Sequence, residues 1–279
     1  IFPMRVHGDN TVKGSCEMNV LKKAIGVVLL VFLVCLTCLG AGSPSWADDA
    51  LKSVQDRGTL VVGFCAAYPP FESRNELTGE FEGFDVDLAR ALAEKLGVKV
   101  EFRDTEWPGL IAGVNKGDFD VLLSCMSKSE TRGENVDMTD IYYLLSDVAV
   151  VRTGDERFKS TEDLKDKVVG VQMGSAAEQV ADKLEGLKEI RRFNYNPEAF
   201  LDLQHKRIDA LIVGYAYAVN QIKTTSGEFH VLGEVGDPSE IVMVLKKDSS
   251  LTEPLNAALK ELRGSGKYDE ILKKWLAVE

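Results

Sequence analysis

An α/β fold in two lobes, each a mainly parallel sheet flanked by helices, is what this sequence predicts. Three observations lead there. Short uninterrupted apolar runs, among them Leu60-Val61-Val62, Val121-Leu122-Leu123 and Val168-Val169-Gly170-Val171, have the composition of strands buried on both faces. Helix-period segments separate them, the spacing of βαβ units. The alternation also runs twice, with a break at Thr153-Gly154-Asp155. A chain of 279 residues can bury one large core or two smaller ones.

In order, residues 49–57 form a short polar helix ended by Gly58, and residues 59–63 an apolar strand. The strand runs into Cys65 and an aromatic loop, Tyr68-Pro69-Pro70-Phe71, where two prolines block both helix and sheet ladder. A helix opens at Phe84-Asp85 with Leu88, Leu92 and Leu96 on one face and closes at Gly97. A strand over 98–102, a helix from Trp107 to about Gly117 and a strand over 119–124 follow. Residues 141–151 are mostly apolar and extended. In the second series, Ser160 and Asp163 have the spacing of a capping box, with Asp in place of Glu or Gln. Strands at 168–171, 190–193 and 209–213 alternate with helices running from Ser175 towards Leu187 and over 197–205. A strand over 241–245 and two closing helices complete the plan. The chain is expected to cross between lobes at 148–152 and return at 241–244, a pair of strands able to serve as a hinge. Lobe 1 is thus read as 48–150 with 242–279, and lobe 2 as 151–241.

The stretch 119–132 turns abruptly from apolar to polar: after Leu123 come Ser124, Cys125, Ser127, Lys128, Ser129, Glu130, Thr131 and Arg132. Ligands of open α/β sheets bind just beyond the carboxyl ends of strands. Hydroxyls and an arginine there can hydrogen-bond a carboxylate or phosphate and clamp it with two parallel bonds. A solvated loop with a surface arginine is the plainer alternative.

The first 47 residues read differently. From Met18 a basic Lys22-Lys23 pair, an apolar stretch over 24–39 and a Ser45-Trp46-Ala47 ending give a cleavable secretory signal over 18–47, with 1–17 an upstream extension. The apolar stretch falls short of the roughly 20 residues a spanning helix needs. Cys35 and Cys38 lack the small-residue context of a lipoprotein signal. Without residues 1–47 the chain has 29 basic and 42 acidic residues, a net charge of −13. That balance argues against nucleic acid and anionic membrane as partners.

Several motifs together resemble the extracellular solute-binding proteins of family 3, which serve ABC importers of polar amino acids. They are Tyr68-Pro69-Pro70-Phe71-Glu72, Gly83-Phe84-Asp85-Val86-Asp87-Leu88, Trp107-Pro108-Gly109-Leu110-Ile111, the Ser127…Arg132 segment, Asp163 to Val171, Arg207-Ile208-Asp209-Ala210 and Gly266 to Trp275. The resemblance covers residues 51–279. It implies a periplasmic-binding-protein fold and a periplasmic monomer without a cofactor. It also implies a small ligand bearing a carboxylate, most readily an amino acid, held by cleft closure, and an ABC permease of the inner membrane as partner. By resemblance, Tyr68 and Trp107 sandwich the ligand's apolar part. Ser127 donates a hydroxyl, Cys125 offers backbone contacts, and Arg132 pairs with the α-carboxylate. Ser175 and Ala176 stand at the amino end of a helix that favours an anionic group.

Two departures stand out. Where the family places an aspartate for the α-ammonium, this chain has Gly214, and Cys65 occupies another position that is often aspartate. A buried ammonium without a counter-charge costs several kcal/mol. Either another group serves, Glu178 being one candidate, or the ligand is an organic acid without a cationic amine. Cys65 and Cys125 can be packed thiols, a disulfide or, with Met126 and Met173, part of a soft-metal site. The rival from another class is an enzyme like the cyclohexadienyl dehydratases, which carry a similar Trp107-Pro108 pair. Glu178 does not fall where their acid would stand, and His205 and His230 are isolated.

Overall fold

The computed structural model describes residues 49–277; the upstream extension expected over 1–17 and the secretory signal expected over 18–47 lie outside them. Helix α1 (Ala50–Arg57) leads into β1 (Thr59–Phe64), then a three-stranded flap of β2 (Ala67–Tyr68), β3 (Glu72–Arg74) and β4 (Phe81–Glu82). Helix α2 (Phe84–Lys95), β5 (Lys99–Asp104), a 3₁₀ turn (Trp107–Gly109), α3 (Leu110–Lys116), β6 (Val121–Leu122), α4 (Glu130–Gly133) and β7 (Val136–Met138) follow. Next come β8 (Tyr143–Leu145), β9 (Asp147–Arg152), a second 3₁₀ turn (Thr161–Leu164), β10 (Val168–Gln172), α5 (Ala176–Ala181), β11 (Glu189–Phe193), α6 (Asn196–Gln204) and β12 (Ala210–Gly214). The chain closes with α7 (Tyr215–Thr224), β13 (Phe229–Glu234), β14 (Ser239–Ile241), β15 (Val244–Lys246), α8 (Thr252–Gly264) and α9 (Lys267–Leu276).

Two five-stranded sheets carry the lobes, in the orders β5-β1-β6-β15-β7 and β11-β10-β12-β9-β13. In the first, β1 is parallel to β5 and β6, while β15 returns antiparallel. In the second, β10 is parallel to β11 and β12, and β9 is antiparallel to β12 and β13. Strand alternation sorts side chains between two buried layers in each lobe. Leu60, Val62, Val121 and Leu123 pack on one face of the first sheet with α2, α8 and α9, whereas Val61, Leu122 and Val244 pack on the other with α3. Likewise Val148, Val150, Leu211 and Val213 face α6 and α7, and Ala149, Val151, Ala210 and Ile212 face α5. This two-sided burial is why both series read as unbroken apolar runs.

Three expectations need correcting. Residues 148–152, expected to cross between lobes, form an inner strand of the second sheet; the crossing lies just before, at β8, which pairs antiparallel with β14. The single strand expected over 241–245 is two strands in different sheets, because Val242 and Met243 leave the hinge pair for the first lobe. The helix expected to run towards Leu187 ends at Ala181. The capping box at Ser160 and Asp163 is formed, on a 3₁₀ turn rather than an α-helix. No helix among the described residues is long and apolar enough to cross a membrane.

Candidate functional site

The carboxyl ends of β1, β6, β10 and β12 converge on a cavity between the lobes. The first lobe supplies Tyr68, Glu72, Trp107, Cys125 and Ser127, and the second Asp147, Gln172, Ser175, Ala176 and Gly214. The cavity, solvent at its mouth included, has a volume of about 560 Å³. Among the described residues no lysine, arginine or histidine lies on the wall, and its carboxylic acids are Glu72 and Asp147.

Three contacts hold the lobes together across this space. The Trp107 indole N–H donates to the carbonyl of Met173 at 3.0 Å. The Arg132 guanidinium donates to the carbonyl of Gly174, and on its own lobe to the carbonyl and hydroxyl of Ser127 at 2.6 and 3.0 Å. The rings of Tyr68 and Tyr217 stack in parallel with centroids 4.5 Å apart. Phe71 flanks Tyr68 at 5.8 Å, so the edge and hydroxyl of Tyr68 meet the cavity more than an open face does. Seven sequence-derived site residues, Tyr68, Trp107, Cys125, Ser127, Ser175, Ala176 and Gly214, line this one cavity from its two sides. Arg132 sits at the rim, where burial lowers its ordinary pKa.

The floor is fixed by a buried polar network. The backbone N–H of Cys65 donates to Ser124 Oγ, and Ser124 Oγ donates to Glu72 Oε1 at 2.8 Å. Cys125 has a positive φ of 43°, and its N–H donates to Asp85 Oδ2 at 2.6 Å. The hydroxyl of Tyr142 donates to the same oxygen at 2.9 Å. Glu72 Oε2 and Asp85 Oδ1 have no other partner, and one proton shared between the two acids satisfies both. Burial raises both; Asp85 is pushed up to about 7.

The second lobe's rim is built on backbone groups. Ser175 caps α5, accepting the N–H of Glu178 at 3.2 Å and donating to the carbonyl of Gln172 at 2.7 Å. Glu178 points away from the cavity: it accepts the N–H of Gly174 at 2.5 Å and pairs with Arg192. It is thus not the substitute carboxylate the sequence suggested. Gly214 is tightly enclosed, since a Cβ there would meet the Tyr68 hydroxyl at 2.5 Å and Leu145 Cδ2 at 2.6 Å. The two thiols are free and buried. Cys65 packs with one layer of the first lobe and Cys125 with the other, and burial pushes Cys65 up to about 12. No cluster of metal-ligating side chains occurs among the described residues.

Sequence reading missed Asp147. It is 3% exposed on the cavity wall, and burial pushes it up to about 6, a rise eased by Ser239. The available signal was an acid embedded in the otherwise apolar run over 141–151.

A model of the bacterial extracellular solute-binding proteins, family 3, matches residues 60–278. The chain belongs to that family. Among solute-binding proteins, the L-cystine-binding protein TcyJ of Escherichia coli (strain K12) is 31% identical over 262 residues, covering 92% of this chain and 96% of that one. An ancestral arginine-binding protein bound to arginine is 38% identical with a TM-score of 0.75, over 79% of this chain and 99% of its own. The ancestral amino acid-binding protein AncCDT-1, a precursor of cyclohexadienyl dehydratase, is 36% identical with a TM-score of 0.72, over 81% of this chain and 98% of its own. The two-lobed α/β architecture is common to these structures and this one.

Proposed function

We propose that this protein is an exported receptor for an amino acid, which it encloses between its lobes and delivers to an ABC permease of the inner membrane. The observation that carries the reading is a cavity lined from both lobes and closed over by direct contacts between them. In this reading the ligand's carboxylate lies at the rim, where Ser127 and Arg132 of the first lobe face Gly174, Ser175 and Ala176 of the second. Arg132 exchanges its bond to the Gly174 carbonyl for a stronger, charge-assisted bidentate pair. The ligand's body rests against Trp107 and the edge of Tyr68, with Cys125 and Gly214 contributing backbone surface. Closure follows because the ligand binds the closed arrangement better than the open one. Binding, not catalysis, is the role: Glu178 is engaged by Arg192, and the Cys65 thiol is held neutral by burial.

A thermal-shift screen of residues 48–279 against the amino acids tests this. Native-state binding at a hundredfold excess over Kd adds about 2.7 kcal/mol of stability, and at least one amino acid is expected to produce it. Stabilisation by simple organic acids alone would overturn the amino-acid reading. Arg132→Ala is expected to abolish binding with the unfolding transition kept, and unchanged affinity would remove Arg132 from the site.

A further inference from the structure

We propose that Asp147 is the counter-charge for the ligand's ammonium group, supplied from β9 in place of an aspartate on β12; the inference rests on the amino-acid reading above. In the antiparallel ladder between these strands, Asp147 lies directly opposite Gly214. Directly opposed residues project to the same face of a sheet. A carboxylate at 147 therefore reaches the region that a side chain at 214 would enter. Position 214 itself is closed to such a side chain by the Tyr68 hydroxyl and Leu145. Asp147 thus offers a carboxylate from one strand over, while the Tyr68 hydroxyl lies against Gly214.

Elimination among the acids supports the same assignment. Glu178 is spent on Arg192 and the Gly174 N–H. Glu72 accepts from Ser124, and burial beside Asp85 raises its carboxyl, which favours its neutral form. Asp147 is buried on the wall, and its one side-chain hydrogen bond comes from Ser239 Oγ at a long 3.3 Å. With no basic residue on that wall, a carboxylate so poorly solvated gains strongly from an ammonium brought in by the ligand.

Calorimetric titration of wild type and Asp147→Asn with matched probes tests the proposal. The pairs are L-cystine with dithiodipropionate, L-arginine with guanidinovalerate, and L-glutamine with glutaramate; the second member of each lacks the α-amine. The amino acid that wild type binds is expected to lose about 100-fold in affinity in the variant, as when one partner of a buried charge pair is removed. Its desamino partner is expected to bind the variant no more weakly than wild type. Retention of the amino acid within about threefold would overturn the proposal, as would equal loss of both members of a pair. Wild type binding desamino acids but no amine-bearing probe would overturn the amino-acid reading itself, and this inference with it. Asp147→Ser, measured the same way with its thermal transition recorded, separates loss of charge from loss of fold.

Discussion

Beneath the cavity floor, Glu72 and Asp85 each keep one oxygen for the other. Two buried acids this close cannot both ionise cheaply, so the pair holds a proton at pH values where a surface carboxyl has long lost its own. Asp85 is raised to about 7 and Asp147 to about 6, both by burial. A raised folded-state value means that the native protein binds the proton more tightly than the unfolded chain. The stabilisation is full below the unfolded value near 4 and is lost as pH rises through about 7. Asp85→Asn is expected to remove much of that slope, since the amide in its place has no carboxyl proton to lose. Scanning calorimetry from pH 4.5 to 8 should show the variant gaining on wild type by roughly 2–4 kcal/mol across the window. Parallel pH profiles would mean that the two acids share no proton.

Helix α2 shows how one backbone position sets a whole element. Gly83 has φ 136°, and a Cβ there would sit 2.1 Å from the carbonyl oxygen of Phe71. This close approach lets the first helical N–H groups, of Phe84 and Asp85, donate to the carbonyls of Pro70 and Phe71, which fixes Asp85 under the floor. Gly83→Ala is expected to lower stability by about 3 kcal/mol or more, measured as a fall in the urea midpoint with unchanged slope; a midpoint within error of wild type would refute the constraint. The inner strands of both sheets were legible in the sequence because burial on both faces of a sheet writes itself as apolar runs, whereas α7 and the edge strand β13 were not read. The hinge was not, because the apolar pattern continues unbroken through β8 into β9 and only hydrogen-bond pairing separates them. In the cavity, Tyr68, Trp107 and Ser127 were readable from their motifs. Asp147 was not, since its meaning depends on facing Gly214 from a strand more than 60 residues away in the chain. The role of Tyr217 was hidden for the same reason: its ring meets Tyr68 from a distant part of the chain.

The closed arrangement of the two lobes is held by direct contacts that the proposed ligand pose leaves in place: the Trp107 bond to Met173 and the Tyr68–Tyr217 stack. If such contacts favour closure, they also govern how long a bound solute stays, because escape requires them to break while entry takes place before they form. Trp107→Phe keeps an aromatic ring beside the cavity and deletes the indole N–H. One hydrogen bond contributes about 1 kcal/mol net, so the variant is expected to bind about fivefold more weakly. The change should fall almost entirely on dissociation, as is usual among variants of one interface. Stopped-flow measurement of both rates decides the matter. A faster off-rate with an on-rate within about twofold of wild type fits a latch made after entry. A slowed on-rate with an unchanged off-rate would instead make Trp107 part of the open receptor's first encounter with its ligand, and the latch would have to rest on the tyrosine stack alone.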